Sequence, residues 1–369
     1  MVSRSSVPII WTFDGAIVLD MKEIAQVVPY LPPKISGVGD YAVLLAKELA
    51  KVHGLHSTFI CANPNEGQLN CEGFPVIPLV ACSDEEFSSI LMKTDTVLVH
   101  YVGYGFQKRG CPIWLVNGLL KWRKKCRNVN LITMFHELYA TGPIWSSAFW
   151  TNVIQKRICR RIASICDGVI TNRAASRFYL DRHCSCNSQV LPVFSNVGEA
   201  PLFVPFNERN SEMVIFGGGP NFRDLAGEKF SLIQELIDFW KIEKIVIIGN
   251  GNLGLANLSI SIEVAGILDS MSIHSILSKA RFGLLTYFPG YMGKSGIFAS
   301  YCAHGLAPVL LNRDDSSEDG LSSGMNFLYI EDAIDYEIQE AESVAEKAWS
   351  WYSMHNISRV SEAYAEFIR

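Results

Sequence analysis

The stretch that decides the fold is LPPKISGVGDYAVLLAKEL, which occupies residues 31–49. It follows a run of β-forming residues at 24–29, and its second half carries apolar residues at three- and four-residue spacing. That spacing predicts a helix with one buried face, so Gly37 and Gly39 fall in the turn between a strand and a helix. Glycines there let backbone N–H groups approach an anion at the positive helix N-terminus. We therefore expect phosphate contact at these two glycines, with a merely tight turn as the alternative.

Short apolar runs alternate with amphipathic stretches along the whole chain, which predicts parallel sheets in an α/β protein. Strands are predicted at 24–29, 56–61, 97–100, 131–135, 168–171, 213–216, 244–248, 261–264, 282–286 and 308–311. Residues 190–205 contain three prolines and little periodicity, which indicates a linker. We expect two doubly wound, Rossmann-like domains that face a cleft, the usual place for a ligand in such folds.

Length and composition agree with two domains. The chain has 369 residues, more than one ordinary domain contains. Of these, 49% are hydrophobic and 19% charged, a composition that excludes a disordered protein. We predict an N-terminal domain at 1–198 and a C-terminal domain at 206–345. Residues 1–20 stand apart: either they form an added element or the natural start is Met21.

The net charge of −5 conceals an uneven distribution. Residues 1–200 hold 20 Lys and Arg against 15 Asp and Glu, whereas residues 201–369 hold 12 against 22. The segment 96–166 has 11 Lys and Arg and a single acid, Glu137. This basic stretch is either a solvated face or a contact surface for an anionic membrane. A nucleic-acid partner is not expected, because no binding motif or interleaved aromatic pattern accompanies the charge.

The ten cysteines contain no CxxC pair, and the cluster at 183–186 lacks a second pair of ligands for zinc. We therefore expect no metal and a reducing, cytoplasmic setting. No run approaches the ~18 apolar residues that span a bilayer, so any membrane contact would be peripheral, at the inner face.

The string at 31–49 resembles the N-terminal glycine loop of family 4 glycosyltransferases of the GT-B fold, which commonly read LPPxxSGVGDYAxxLAxxL. The segments HYVGYGF (100–106) and HELY (136–139) resemble strand-end loops of bacterial members that act on cell-surface polysaccharide precursors. The resemblance, with the position of His136 at a strand end, implies that this residue contacts the donor sugar or the acceptor. A helix-capping or core histidine is the alternative. Glu137 would orient His136 or bind acceptor hydroxyls, and His100 and Tyr104 would bind the acceptor.

Three segments of the second half resemble the family's donor-binding loops. FGGGPN (216–221) resembles the loop that supplies basic residues to the donor diphosphate. Gly218, Arg223 and Lys229 are therefore candidate donor-binding residues. The family's short spacing between Arg and Lys is not reproduced here. The segment IIGNGNL (247–253) is similar to the family's VGDGP turn and contains Gly249. Ala265 lies in a segment that resembles the one whose backbone recognises the nucleotide base.

The segment YFPGYMGKSGI (287–297) lies between a predicted strand and a predicted helix. An ammonium group, a hydroxyl and free N–H groups at a helix N-terminus suit a diphosphate, so we expect Lys294 to neutralise it and Ser295 and Gly296 to bind it. A helix start without a ligand is the alternative. Family members normally carry two glutamates here, whereas this chain has Met292 and Ser300. It is similar to family branches with a Lys/Arg-Ser-Gly variant.

The resemblance implies a transferase that moves a sugar, with retention, from a UDP- or GDP-sugar to a glycan, lipid-linked or small-molecule acceptor. It implies no metal or other cofactor, and a C-terminal helix within 346–369 that packs back on the N-terminal domain. Two alternatives stay open: a degenerate GT-B module that binds a sugar nucleotide or a partner without turnover, and a GT-B sugar-nucleotide epimerase. The linear motifs match transferases better than epimerases.

Overall fold

The computed structural model describes residues 22–186, 188–217, 228–249, 255, 258–313 and 319–369. The predicted extension at 1–20 lies outside them. The strands are β1 (Lys22–Val28), β2 (Leu55–Cys61), β3 (Asn70–Cys71), β4 (Phe74–Pro78), β5 (Thr96–Tyr101), β6 (Asn130–Phe135), β7 (Gly168–Thr171), β8 (Ser188–Val190), β9 (Asn210–Phe216), β10 (Lys244–Ile248), β11 (Ser261–Gly266), β12 (Ala280–Leu285), β13 (Ala307–Leu310) and β14 (Leu328–Tyr329).

The α-helices alternate with these strands, as the apolar pattern predicts. They are α1 (Gly37–His53), α2 (Asp84–Leu91), α3 (Gly103–Phe106), α4 (Ile113–Lys125), α5 (Ser147–Ala163), α6 (Ala174–Leu180), α7 (Glu228–Trp240), α8 (Ser270–Leu277), α9 (Gly296–Ala303), α10 (Ile330–Ala333), α11 (Ile338–Ser353) and α12 (Ile357–Ile368). Among the described residues, no helix combines the length and the hydropathy needed to cross a lipid bilayer.

The chain folds into two compact units. Unit 1 comprises Met1–Val169, His183–Asn187 and Ser361–Arg369, and unit 2 comprises Ile170–Arg182 and Ser188–Val360. The boundaries at 198 and 345 predicted from the sequence differ from this division. Helix α11 stays with unit 2 because Ala341, Val344 and Ala345 are part of that unit's buried core.

Both sheets have the doubly wound strand order. The first runs β3-β4-β2-β1-β5-β6-β7-β8, and the second runs β11-β10-β9-β12-β13-β14. Strand β1 pairs in parallel with β2 and β5, and β9 pairs in parallel with β10 and β12. The strand order therefore reverses between β1 and β5 and between β9 and β12. In such sheets, ligands bind at the carboxyl ends of the strands beside this switch point.

All the strands predicted from the sequence are present. The sequence pattern misses β3, β4, β8 and β14, which are short or lack a continuous apolar run. Residues 191–205, all of them described, contain neither helix nor strand and lie inside unit 2, so their role as a linker between domains stays a prediction. Helix α1 buries Ala42, Leu45 and Leu49, as the apolar spacing predicts, whereas Val52 in its last turn is exposed.

The end of the chain belongs to the first unit. The Nζ atom of Lys22 in β1 donates to the carbonyl of Ile368 (2.6 Å), and the side-chain amide of Asn130 in β6 donates to the carbonyl of Phe367 (2.7 Å). The Tyr364 hydroxyl lies 3.2 Å from the Tyr41 hydroxyl of α1. The second half of α12 is therefore part of the N-terminal fold.

Helix α9 is fixed to the centre of the second sheet through one buried side chain. The Tyr301 hydroxyl donates toward the carbonyls of Val214 in β9 and Leu284 in β12 (3.1 Å each) and accepts from the Phe216 amide (2.9 Å). Its ring lies against Gly283 of β12, where a Cβ atom would be 2.4 Å from the ring. Only glycine at position 283 leaves space for Tyr301.

We expect Gly283→Ala to destabilise unit 2 by about 1–3 kcal/mol, because Tyr301 is held by its hydroxyl and cannot move away from the added methyl group. Gly37→Ala is the matched control, since a Cβ atom there meets nothing within 4 Å. Chemical denaturation followed by circular dichroism measures both. Equal stability of Gly283→Ala and the wild type would contradict this packing.

Candidate active site

In unit 1, polar side chains from neighbouring strands form one buried chain of hydrogen bonds. Gln26 of β1 donates from Nε2 to the Ser57 Oγ of β2 (2.7 Å), and its Oε1 lies 2.8 Å from His100 Nε2 in β5. His100 Nδ1 lies 3.2 Å from His136 Nε2, directly after β6. All four residues are buried. The chain leads from the middle of the sheet to the carboxyl ends of its strands.

These contacts fix which nitrogen of each imidazole carries the proton. The Gln26 Oε1 atom can only accept, so His100 Nε2 is the donor. Burial, with a smaller effect of the neighbouring His136, lowers the pKa of His100 well below its usual value, so that ring is neutral and its Nδ1 accepts. His136 Nε2 is consequently protonated. In its neutral form His136 then accepts a hydrogen bond or a proton at Nδ1.

Tyr41 completes this cluster from the side of helix α1. Its ring meets the His136 ring edge-on at 5.1 Å and the His100 ring at 5.9 Å between centroids. Rings in this arrangement attract one another and restrict the orientation of each imidazole. His136 is therefore held by a hydrogen bond on one edge and by an aromatic ring beside it.

The structure brings His100 and His136 together but gives them different surroundings. His100 has no exposed surface, whereas His136 retains 7%. Acceptor contact by His100 stays a prediction, and its burial favours a positioning role behind His136. Glu137 is exposed next to His136, and its amide lies 3.4 Å from the Tyr101 carbonyl. Its predicted role likewise stays a prediction.

Tyr104 lies in α3, in the loop after β5, with 42% of its surface exposed. Its hydroxyl accepts from Gln155 Nε2 (3.3 Å), which also donates to the Arg109 carbonyl (2.9 Å). The Gln155 Oε1 atom accepts from the Ala140 amide (2.7 Å) in the loop after β6. Gln155 thus joins the two loops to α5. No motif in the sequence points to Gln155; the signal that could reveal it is a single polar residue on the buried side of an amphipathic helix.

The two glycines of the first loop differ in their surroundings. Gly39 is buried, and a Cβ atom there would lie 2.7 Å from the Tyr30 carbonyl oxygen, so Gly39 lets α1 approach the end of β1. Gly37 is exposed and faces open space. The Ser36 hydroxyl caps the helix by accepting from the Gly39 amide (3.3 Å). Phosphate contact stays a prediction for both glycines, and the open surroundings favour Gly37.

In unit 2, the loop after β12 carries Lys294 to the start of α9. This loop forms a 3-10 helix at Pro289–Lys294, and Ser295 is the N-cap of α9. A Cβ atom on Gly293 would lie 2.5 Å from the Asn172 carbonyl oxygen, so only glycine fits. The Gly293 carbonyl accepts from the Val193 amide (2.8 Å). The backbone is therefore held at Gly293, directly before Lys294, and at the N-cap Ser295, directly after it.

Two cations flank the exposed ring of Tyr291 in this loop. The Arg173 guanidinium carbon lies 4.0 Å from the ring centroid and Lys294 Nζ lies 5.2 Å from it. The sequence predicts Lys294 as a phosphate ligand but not Arg173, because the two residues are far apart in the chain. Cation–π contact of this kind orients both side chains toward one ring.

Ser295 and Gly296 lie at the N-terminus of α9, and their binding of a diphosphate stays a prediction. The Ser295 hydroxyl accepts from the Phe298 amide (3.2 Å), and a helix leaves its first N–H groups without acceptors inside the helix. The positions where the family carries glutamates hold residues buried in unit 2. Met292 is 1% exposed, and the Ser300 hydroxyl donates to the Gly296 carbonyl (2.7 Å).

The remaining donor-site candidates are distributed over three strand ends. Lys229 Nζ donates to Asn312 Oδ1 (2.7 Å), and Asn312 Nδ2 donates to the Thr286 carbonyl (2.5 Å), so Lys229 lies close to the loop after β12. Gly249 has a left-handed φ of 115°, and its amide donates to the Gly266 carbonyl (2.7 Å) beside Ala265 of β11. Gly218 and Arg223 lie outside the described residues.

No protein-family model matches the sequence, and no curated protein is significantly similar to it. Solved structures are similar in fold. TarM superposes with a TM-score of 0.60 at 11% identity over 95% of this chain and 99% of its own. The lipopolysaccharide outer core galactosyltransferase WaaB gives 0.57 at 12% identity over 94% and 99%. UDP-GlcNAc 2-epimerase from Neisseria meningitidis, bound to UDP-GlcNAc, gives 0.53 at 12% identity over 93% and 98%.

The fold is GT-B. Glycosyltransferases and epimerases share it, so the similarity confirms the predicted architecture of two Rossmann-like domains and leaves the reaction to be argued from the residues. Within the part of the chain that the structure describes, no group of three or more His, Cys, Asp or Glu side chains is arranged to hold a metal ion.

The hydrogen-bond chain predicts the tautomer of His136. In protein with ¹⁵N-labelled histidine, at mildly alkaline pH, we expect His136 to carry its proton on Nε2, with Nδ1 unprotonated, in long-range ¹H–¹⁵N spectra. Gln26→Leu removes the acceptor that orients His100, so His136 should become a mixture of tautomers. Ser57→Ala, which keeps the Gln26 oxygen, is the control.

A wild-type His136 protonated on Nδ1 would contradict this arrangement. So would an unchanged His136 spectrum in Gln26→Leu.

Proposed function

We propose that this protein is a family 4-like glycosyltransferase that transfers a sugar from a nucleotide-diphosphate donor to a glycan, lipid-linked or small-molecule acceptor. The observation that carries the proposal is the position of Lys294 at the N-terminus of α9, beside the switch point between β9 and β12. A diphosphate placed there would receive the ammonium charge, the first N–H groups of the helix and the favourable end of the helix dipole.

The local charge matters more than the total for this role. Residues 201–369 are acidic overall, which disfavours an anionic donor at long range. Charges more than about 8 Å apart in solvent are largely screened at physiological salt, so the cations near the site decide binding. Arg173 and Lys294 lie at the same Tyr291 ring, and Lys229 lies close to the loop after β12. We propose that these three side chains bind the diphosphate, with Arg223 as a further candidate.

The same groups would promote bond cleavage. In sugar transfer the bond between the anomeric carbon and a diphosphate oxygen breaks, and negative charge builds on the departing diphosphate. Lys294 and the N–H groups of Gly296 and its neighbour would stabilise that charge more in the transition state than in the ground state, which is what accelerates a reaction. Retention of configuration is part of the proposal, because the family that the sequence resembles retains it.

In unit 1 we propose that His136 contacts a sugar hydroxyl of the donor or the acceptor. Its ring, oriented by the contact with His100 and by Tyr41, would meet that hydroxyl through the small part of its surface that stays exposed. Glu137, the next residue, and Tyr104, in the loop after the neighbouring strand β5, are exposed and would contact the acceptor. The proposed setting is the inner face of an anionic membrane, where a lipid-linked acceptor is held.

A second candidate function is the epimerisation of a sugar nucleotide. It is supported by the similarity to UDP-GlcNAc 2-epimerase structures, one of them bound to UDP-GlcNAc. The missing glutamate pair, at Met292 and Ser300, supports a third candidate, a module that binds a sugar nucleotide without turnover. Thermal-shift screening with UDP-, GDP- and ADP-sugars, followed by product analysis, separates the three. Donor hydrolysis or transfer identifies a transferase, a C2-inverted sugar nucleotide identifies an epimerase, and stabilisation alone identifies a binding module.

We expect Lys294→Ala to lower the rate of donor cleavage about 10²–10³-fold, because one charged donor to the leaving diphosphate is lost. The measurement is nucleotide release from the donor that gives the largest thermal shift. Lys279→Ala, which removes an exposed lysine of the same unit, is the matched control and should keep wild-type turnover. Circular dichroism checks that both variants fold. Turnover of Lys294→Ala within threefold of the wild type, or no response of the wild type to any sugar nucleotide, would overturn the proposal.

A further inference from the structure

Helix α5 and the loop before it expose a group of large apolar side chains. Trp145 is 84% exposed and Trp150 is 69% exposed. We call this group the α5 surface; its members are Ile144, Trp145, Phe149, Trp150, Val153 and Ile154. Exposed apolar residues are ordinary when scattered singly, but a contiguous aromatic group marks a contact surface.

Helix geometry places this group on one side of α5. Phe149, Trp150, Val153 and Ile154 follow the spacing of neighbours on a helix surface. The other side of α5 is already packed in the interior of unit 1, where its buried members are Gln155, Ile158, Cys159, Ile162 and Ala163. The α5 surface is therefore separate from the face through which α5 packs on the core of unit 1.

Basic residues continue along the same helix. Lys156, Arg157, Arg160 and Arg161 follow the apolar group, and residues 138–166 contain no Asp or Glu. The other basic segment of the chain differs. There Lys121 pairs with Asp84 (2.8 Å), and Arg123 pairs with Asp167. Two cations of that segment are thus compensated by ion pairs, whereas in α5 the cations and the exposed apolar group share a stretch of sequence without acids.

We propose that the α5 surface binds the interface of an anionic lipid bilayer. Aromatic rings prefer the headgroup level of a membrane, and an apolar helix face inserts just below it. Arg157, Arg160 and Arg161 are exposed and would meet acidic headgroups. A second copy of the chain is a less suitable partner for this surface. In a twofold dimer the α5 surface would face the same surface of the other copy, so the arginines of the two copies would repel one another.

The α5 surface is linked to the proposed acceptor side of unit 1. The loop between His136 and α5 is tied to the helix at Ala140, whose amide donates to Gln155 Oε1 (2.7 Å) and whose carbonyl accepts from Asn152 Nδ2 (2.6 Å). A lipid-linked acceptor held in the same bilayer would therefore enter beside this loop. This last step rests on the proposed function, whereas membrane binding does not.

The test is co-sedimentation with vesicles of phosphatidylcholine alone and of phosphatidylcholine with phosphatidylglycerol. We expect the wild type to bind the anionic vesicles at least tenfold better and to lose this preference at high salt. Trp145→Ser with Trp150→Ser should weaken binding at least tenfold, and Arg157→Glu with Arg161→Glu should abolish the preference for anionic lipid. Leu69→Ser with Val80→Ser removes exposed apolar groups elsewhere in unit 1 and is the matched control.

Equal sedimentation of the wild type with both vesicles would overturn the proposal, as would wild-type binding by the tryptophan variant. Light scattering that shows a dimer of the wild type and a monomer of the tryptophan variant would assign the α5 surface to self-association instead. Thermal shift with the sugar nucleotide is measured on every variant. Retained donor stabilisation with lost vesicle binding separates this inference from the proposed function.

Discussion

The buried hydroxyl of Tyr301 holds helix α9 against the two central strands of the second sheet. It satisfies backbone groups of both β9 and β12, at the switch point of the strand order, and it needs Gly283 beneath its ring. Because α9 cannot shift along the sheet, its N-terminus is fixed at the carboxyl ends of those strands. The direction of the helix dipole and the position of Lys294 both follow from this attachment, and so does the proposed diphosphate site.

Unit 1 uses a different physical device. Its site is built on buried polar groups, one each from β1, β2 and β5 and one directly after β6. Leaving any of these groups unpaired inside the protein would cost about 1–3 kcal/mol. The network is therefore most stable when every hydrogen bond is made, which requires one consistent direction of donation along it. Such a network specifies the orientation of His136 more tightly than packing alone. One unit thus offers an oriented imidazole and the other offers cations at a helix terminus.

The sequence predicts the sheets, the helix after the glycine loop and the Lys-Ser-Gly turn, because each depends on local periodicity or on adjacent residues. It does not predict Gln26 or Ser57 as members of the site, since Gln26 stands among apolar residues in β1 and Ser57 is one of three consecutive polar residues in β2. Arg173 joins Lys294 only through the folded chain. The basic segment on α4 shows why sequence and structure differ in charge. Lys121 pairs with Glu85, 36 residues away, and Arg123 pairs with Asp167, 44 residues away, so a count within the segment overstates its net charge.

The central claim is that the start of α9 binds the diphosphate of a sugar nucleotide. A crystal structure with UDP or GDP bound tests it most directly, using whichever nucleotide stabilises the protein. We expect diphosphate oxygens within hydrogen-bonding distance of Lys294 Nζ and the Gly296 amide, with the base near the turn that contains Gly249. A nucleotide bound elsewhere, with Lys294 turned away from its phosphates, would contradict it.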